Sequence, residues 1–159
     1  VRHTLSVLVE NKAGVLAKIA GLFGRRAYNI ESLAVGTTER PDISRMTIVV
    51  DADEREIEQV MKQLHKVIEV LKISNITEEE YIERELVLIK VQVDAAKRSE
   101  VMQIVDVFRA RIVDISPNSL IIEATGEQKK LDAIQEALRT YGIKEIVRTG
   151  ELAMVRGLK

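Results

Sequence analysis

The chain has 159 residues, 46% of them hydrophobic, so it carries ample apolar side chain for a packed core and is not a disordered polymer. Its 24 Lys and Arg against 25 Asp and Glu leave a formal net charge of −1, spread along the chain, which excludes the basic footprint of a nucleic-acid binder or of a protein held on an anionic membrane. The absence of cysteine excludes disulfides, thiolate metal sites and thiol nucleophiles, and it fits a reducing compartment, so a cytoplasmic protein is expected.

Residues 4–9 put Leu5, Val7 and Val9 on one face at period two, which predicts a strand ended at Asn11. From Ala13 the spacing turns helical: Val15, Leu16, Ile19, Ala20, Leu22 and Phe23 form an apolar stripe with Lys18 and Arg25 off it. Residues 30–36 and 45–50 read as two strands joined by a long polar tip, 37–44, with Pro41 inside it. Asp53 followed by Glu56 is a capping-box start for a second helix, whose face is Ile57, Val60, Met61 and Leu64. A fourth strand, 67–73, closes the unit.

After an acidic segment, 77–85, the same order returns. Residues 86–93 read as a strand, 99–108 as a helix facing inward through Val101, Met102, Val105 and Phe108, and 111–125 as a hairpin turning at Pro117 and Asn118. A last helix shows Leu131, Ile134 and Leu138, and a strand at 143–147 follows. Phe23 and Phe108 end their first helices, and Ile30 and Ile115 follow at the same offset, the mark of an internal repeat. The expected fold is therefore α+β: two consecutive ferredoxin-like βαββαβ units, each a four-stranded antiparallel sheet with two helices on one face. The expected division is a first domain at 1–76, a linker at 77–85 and a second domain at 86–159. Leu8, Val49 and Val87 are apolar as well, so both sheet faces need burial, and pairing with a second copy is the simplest cover.

Little catalytic chemistry is on offer. His3 and His65 are the only histidines and read as surface residues, and Asp51, Asp53, Glu54 and Glu56 are explained by helix capping without a metal ion. No Gly-x-Gly-x-x-Gly or Gly-Lys-Thr string follows a strand, so nucleotide binding is not indicated. A βαββαβ sheet also serves RNA-binding domains, but the strands at 5–9 and 45–50 have no aromatic side chain on which a base could stack. No apolar run approaches the ~20 residues of a membrane span, and no charged-then-apolar leader precedes Leu5, so neither anchor nor signal peptide is expected.

The informative segment is the first strand-to-helix turn, Glu10-Asn11-Lys12-Ala13-Gly14-Val15-Leu16. A helix N-terminus presents unpaired N–H groups and a partial positive charge, and so can hold a carboxylate. Asn11 can bond an amino acid's ammonium or carboxylate, Gly14 allows close approach, and Val15 and Leu16 can line an apolar end. Spacing alone equally fits a bland alternative, in which Asn11 caps the helix and Gly14 relieves a tight turn.

The string ENKAGVLAKIAGLF at 10–23, continued by RRAYNIESLAVGTTERPDISRMTIVVD at 25–51, closely resembles the amino-acid-binding ACT domain of the acetolactate synthase regulatory small subunits. The ending VRTGELAMVRG at 147–157 resembles that family's C-terminus, so the likeness covers essentially the whole chain. The resemblance implies a non-catalytic partner of a large subunit that carries thiamine diphosphate, FAD and Mg²⁺. That large subunit condenses pyruvate with a second 2-oxo acid at the first common step of branched-chain amino-acid synthesis. The small subunit raises this activity and confers feedback inhibition by valine, which lies between the N-terminal units of a homodimer. Carried onto this sequence, the effector site is Asn11, Ala13, Gly14, Val15 and Leu16 of one chain with Asn29 and Ile30 of its mate. Asn29 stands out independently as a polar residue between Tyr28 and Ile30 where the second strand begins. The second unit's turn, Asp94-Ala95-Ala96-Lys97-Arg98, lacks the Asn-x-x-Gly and is expected to do structural or partner-binding work. An effector-insensitive structural activator, or another ACT-type amino-acid-binding regulator, is the alternative.

Overall fold

The computed structural model describes residues 1–26 and 28–158. Its elements run β1 (Arg2–Glu10), α1 (Val15–Arg25), β2 (Asn29–Thr37), β3 (Ile43–Asp51), α2 (Glu54–His65), β4 (Val70–Asn75), β5 (Tyr81–Gln92), α3 (Ala95–Val107), β6 (Arg111–Ser116), β7 (Ser119–Gly126), α4 (Gln128–Leu138), β8 (Ile143–Arg148) and β9 (Leu152–Val155), with a 3-10 turn at Arg139–Tyr141. The first sheet has the antiparallel order β2-β3-β1-β4 and the second β6-β7-β5-β8, and β9 pairs with β5 off that path. Each half is thus the expected ferredoxin-like arrangement. None of the helices, among the described residues, is long and apolar enough to cross a membrane.

In the first unit the period-two pattern of β1 explains the packing: Leu5, Val7 and Val9 lie beside Ile48 and Met46 of β3 and under Val15, Ile19, Leu22 and Phe23 of α1 and Ile57, Val60 and Leu64 of α2. Phe23 is 1% exposed and meets Tyr28 edge to face with ring centroids 6.4 Å apart. The second core repeats the plan with Val87, Ile89 and Val91 of β5, Leu120 and Ile122 of β7, Val101 and Val105 of α3, and Leu131, Ile134 and Leu138 of α4. The capping box of α2 forms in full: Glu56 N–H donates to Asp53 Oδ1 at 2.8 Å and Asp53 N–H to Glu56 Oε1 at 3.2 Å. Asp53→Ala should therefore lower stability by about 1 kcal/mol, read as a lower urea midpoint at unchanged slope.

Several expectations are corrected. Residues 77–85 are not a linker: β5 starts at Tyr81, the first unit extends through Ile82, and the chain returns to that unit from Glu151 onward, leaving Glu83–Gly150 as the second unit. On the far face of the first sheet, residues of the same unit cover part of the surface while Leu8 stays half-buried. Thr4, Ser6, Thr47 and Val49 are at most 7% exposed because residues of the same unit close over them. Thr4 N–H donates to Thr77 Oγ1 at 3.0 Å, the Thr4 and Tyr81 hydroxyls meet at 3.3 Å, and Glu151 N–H donates to Ser32 Oγ at 2.7 Å. Val87 lies on the helix side of its sheet, not the far side. His3, read as a surface residue, is 3% exposed because its strand register sets it opposite Val50 on the helix face, with Nε2 4.0 Å from Glu54. The α3 helix begins at Ala95, four residues earlier than its apolar spacing suggests, because Asp94 accepts from Lys97 N–H as its cap. Met102 is 39% exposed, and it is Ile112, not the 58% exposed Ile115, that takes Ile30's place against the core.

Candidate functional site

The turn between β1 and α1 is held from the neighbouring hairpin tip. Asn11 N–H donates to the Asp42 carbonyl at 2.8 Å and its Nδ2 to the Pro41 carbonyl at 3.0 Å, so the side chain does not cap α1, and the bland alternative loses its cap. The tip is closed by its own bonds, with Thr38 Oγ1 donating to Arg40 and Ile43 carbonyls and Arg40 paired to Asp42 at 3.2 Å. The residue at the N-cap position is Gly14, at φ 86° and ψ −12°, a left-handed conformation that costs a glycine nothing and an L side chain strain. A Cβ built there would meet nothing within 4 Å, so the space beside it is open.

The N-terminal end of α1 differs from those of α2 and α3. Asp53 caps α2 and Asp94 caps α3, whereas α1, like α4, has neither an acidic residue in its first turn nor a side-chain cap; the N-cap residue of α4 is the acidic Glu127 and that of α1 is Gly14. Val15 N–H reaches the Lys12 carbonyl at 3.4 Å, which leaves the N–H groups of Leu16 and Ala17 as the unpaired donors of that turn. Such an end can accept an anion. Asn11, Ala13 and Leu16 are exposed around it; Val15 is 3% exposed, so its side chain belongs to the core and only its backbone reaches the turn.

Asn29 and Ile30 lie elsewhere on the same chain. Asn29 is exposed at the start of the edge strand β2, opposite Asp51, while the turn leaves the sheet where Glu10 faces Ile43. Those two points are separated by the length of β3, about 27 Å at ~3.4 Å per residue. One chain therefore does not bring the two halves of the expected site together.

The turn is braced beneath by Glu10 N–H donating to the Glu69 carbonyl at 2.8 Å and by the Lys18–Glu69 ion pair. The hydrogen bond from Lys18 holds the Glu69 carboxyl below the usual glutamate range. A depressed carboxylate contributes stability above its unfolded pKa and loses it as pH falls through the folded one. Glu69→Gln should accordingly lower the neutral plateau of the melting-temperature profile while its acid end converges on that of the parent, as measured by circular dichroism from neutral to acid pH. Among the described residues no three His, Asp or Glu side chains are grouped to hold a metal ion.

What the sequence reading missed here is the part played by Pro41 and Asp42, whose signal is only that a rigid Pro-Asp pair stands at a hairpin tip. Comparison with known proteins gives the turn its context. A family model described as "AHAS small subunit-like ACT domain" matches residues 5–72, and one described as "Small subunit of acetolactate synthase" matches residues 84–157. The chain is 59% identical over 158 residues to a probable acetolactate synthase small subunit of Archaeoglobus fulgidus, covering 99% of each chain. It is 55% identical over 155 residues to an acetolactate synthase small subunit of Mycobacterium bovis, covering 98% of this chain and 92% of that one. The crystal structure of the Thermotoga maritima acetolactate synthase small subunit matches with a TM-score of 0.91 at 42% identity, over 100% of this chain and 99% of that one. With both halves matched and relatives aligned end to end, this chain belongs to the family of acetolactate synthase regulatory small subunits, with an ACT domain in its first half.

Proposed function

We propose that this chain activates the catalytic large subunit of acetolactate synthase and confers feedback inhibition by valine, which binds between the first units of a homodimer. The observation that carries the reading is the acid-free, uncapped N-terminus of α1 beside the open space at Gly14. Leu16 and Ala17 N–H groups receive the valine carboxylate, with the helix dipole adding to the attraction. The ligand's ammonium and isopropyl group then face the partner's β2, where Asn29 offers a carbonyl oxygen and Ile30 an apolar flank. Because Asn11 is tied to the Pro41 carbonyl, its role is to fix the turn through Nδ2 and to present Oδ1 as an acceptor.

A ligand that spans two chains favours the arrangement in which its two half-sites face each other, and it shifts the large subunit only by its differential affinity for the two states, usually about 1–3 kcal/mol. Leucine or isoleucine differs from valine by one methylene, worth roughly 1–3 kcal/mol, so both should bind more weakly. In this reading thiamine diphosphate, FAD and Mg²⁺ reside on the large subunit and the complex works in the cytoplasm. The test is reconstitution: acetolactate formation by the large subunit should rise when this chain is added and fall again with L-valine. Activation without any response to valine would instead identify an effector-insensitive activator.

A further inference from the structure

The first unit contains a second recess, unconnected with the α1 turn in its residues and in its chemistry. A cleft of about 440 Å³ opens on the far face of the first sheet, lined by Ser6, Arg45, Lys72, Ser74, Asn75, Ile76 and Glu79 and walled by residues 153–157. The register of the sheet sets its chemistry. Leu8 of β1 faces Arg45 of β3 on one side and Lys72 of β4 on the other, so both cations stand on one face, flanking Leu8. The next row along the strands is Thr47, Ser6 and Ser74, three hydroxyls side by side.

The donors in this recess are only partly spent. The Arg45 guanidinium donates to Ser6 Oγ at 2.6 Å, which both aims the guanidinium and leaves the Ser6 hydroxyl hydrogen to bond something else. Asn75 Oδ1 accepts from Thr77 N–H at 3.2 Å and from the Thr77 hydroxyl at 2.5 Å, so its other end, the NH₂ donor, is fixed in place. Ion pairs occupy many of the chain's cations, among them Arg2, Lys18, Lys90 and Arg148, but Arg45 and Lys72 have no acidic partner among the described residues. Glu79 is the single acid in the lining. Ser6 and Ile76, at 7% and 4% exposed, make this a built recess with a buried floor.

We propose that this cleft binds a small anion, a phosphate or carboxylate group held between Arg45 and Lys72 and capped by the Ser6, Ser74 and Asn75 donors. Charge-assisted bonds of this kind are the strong ones, and two cations with a row of hydroxyls beside them supply them. Because the cleft is closed by residues returning from the C-terminus, an occupant bonds the sheet and that returning segment together.

The test uses the full chain, ¹⁵N-labelled, titrated with inorganic phosphate and, separately, with malonate at constant ionic strength. Saturable shifts of the Ser6, Ser74, Asn75 and Ala153 amides with either probe are expected, and which probe saturates first distinguishes the phosphate from the carboxylate source. In Arg45→Gln with Lys72→Gln the binding should weaken about tenfold or more, while the melting curve stays near that of the parent and Lys72→Gln alone gives an intermediate effect. L-valine, titrated into the same samples, should perturb the α1 turn regardless, so a failure of the valine reading and a failure of this one are told apart. Shifts scattered over unrelated surface lysines, no saturation at millimolar probe, or unchanged binding in the double variant would each overturn the proposal.

Discussion

Gly14→Asp should abolish calorimetrically detectable valine binding, a loss of a hundredfold or more, while the protein still folds. In the proposed site the new carboxylate stands where the ligand's own would be held, it can take up the free N–H groups of Leu16 and Ala17 itself, and like charges in contact cost several kcal/mol. Gly14→Ala separates this from backbone strain. Its Cβ meets nothing within 4 Å, so it carries only the penalty of a left-handed alanine, roughly 1–2 kcal/mol, and that falls on folding. The alanine variant should melt lower and bind valine within a few-fold of the parent. Equal binding by the parent and the aspartate variant would remove the α1 turn from the site.

The largest effect on stability is expected at Arg148. Glu85 is 7% exposed, and Arg148 grips it with Nη2 at 2.7 Å and Nε at 3.3 Å while Nη1 holds Asp132 at 2.8 Å and Gly150 N–H adds a bond to Glu85 at 3.2 Å. The hydrogen bond with Glu85 raises the Arg148 pKa, as a well-matched pair should. Arg148→Ala leaves the carboxylate buried with a single backbone donor, and breaking such a pair costs about 3–5 kcal/mol. Urea unfolding should show that loss. Removing both partners, as Glu85→Gln with Arg148→Met, should cost less than the single change, because no uncompensated charge remains.

Much of the fold is legible because its cores are written in local periodicity. Leu5, Val7 and Val9 alternate, the α1 stripe recurs at helical spacing, and Asp53 with Glu56 announces the α2 start, so three elements and their buried faces follow from short windows. The return of residues from Glu151 to the first unit is not legible in that way. The β9 strand has only four residues, and the face it helps close is built from Thr4, Ser6 and Thr47, polar side chains that read as solvent-facing until their bonding partners, 70 or more residues distant for Thr77 and Tyr81, are known. His3 reads as a surface residue for the same reason, since its burial depends on the register of β1 with β3.

The candidate site divides similarly. The Asn-x-x-Gly turn marks itself through Gly14, whose positive φ is the conformation a glycine there suggests. The partner of Asn11 does not, because Pro41 lies 30 positions on and its carbonyl carries no side-chain signature. Nor does any window of sequence show that Asn29 stands at the opposite end of the sheet from that turn, so that the proposed site needs two chains.

That two-chain property is the most direct thing to measure. Chains carrying Gly14→Asp and chains carrying Asn29→Ala are refolded separately and then together, and each preparation is titrated with L-valine. A site shared between chains predicts no binding by either alone and, in the mixture, recovery of one site per mixed dimer, since one interface there keeps both an intact turn and an intact Asn29. Unchanged binding by the Asn29→Ala protein, or no recovery in a mixture shown to contain mixed dimers, would contradict it.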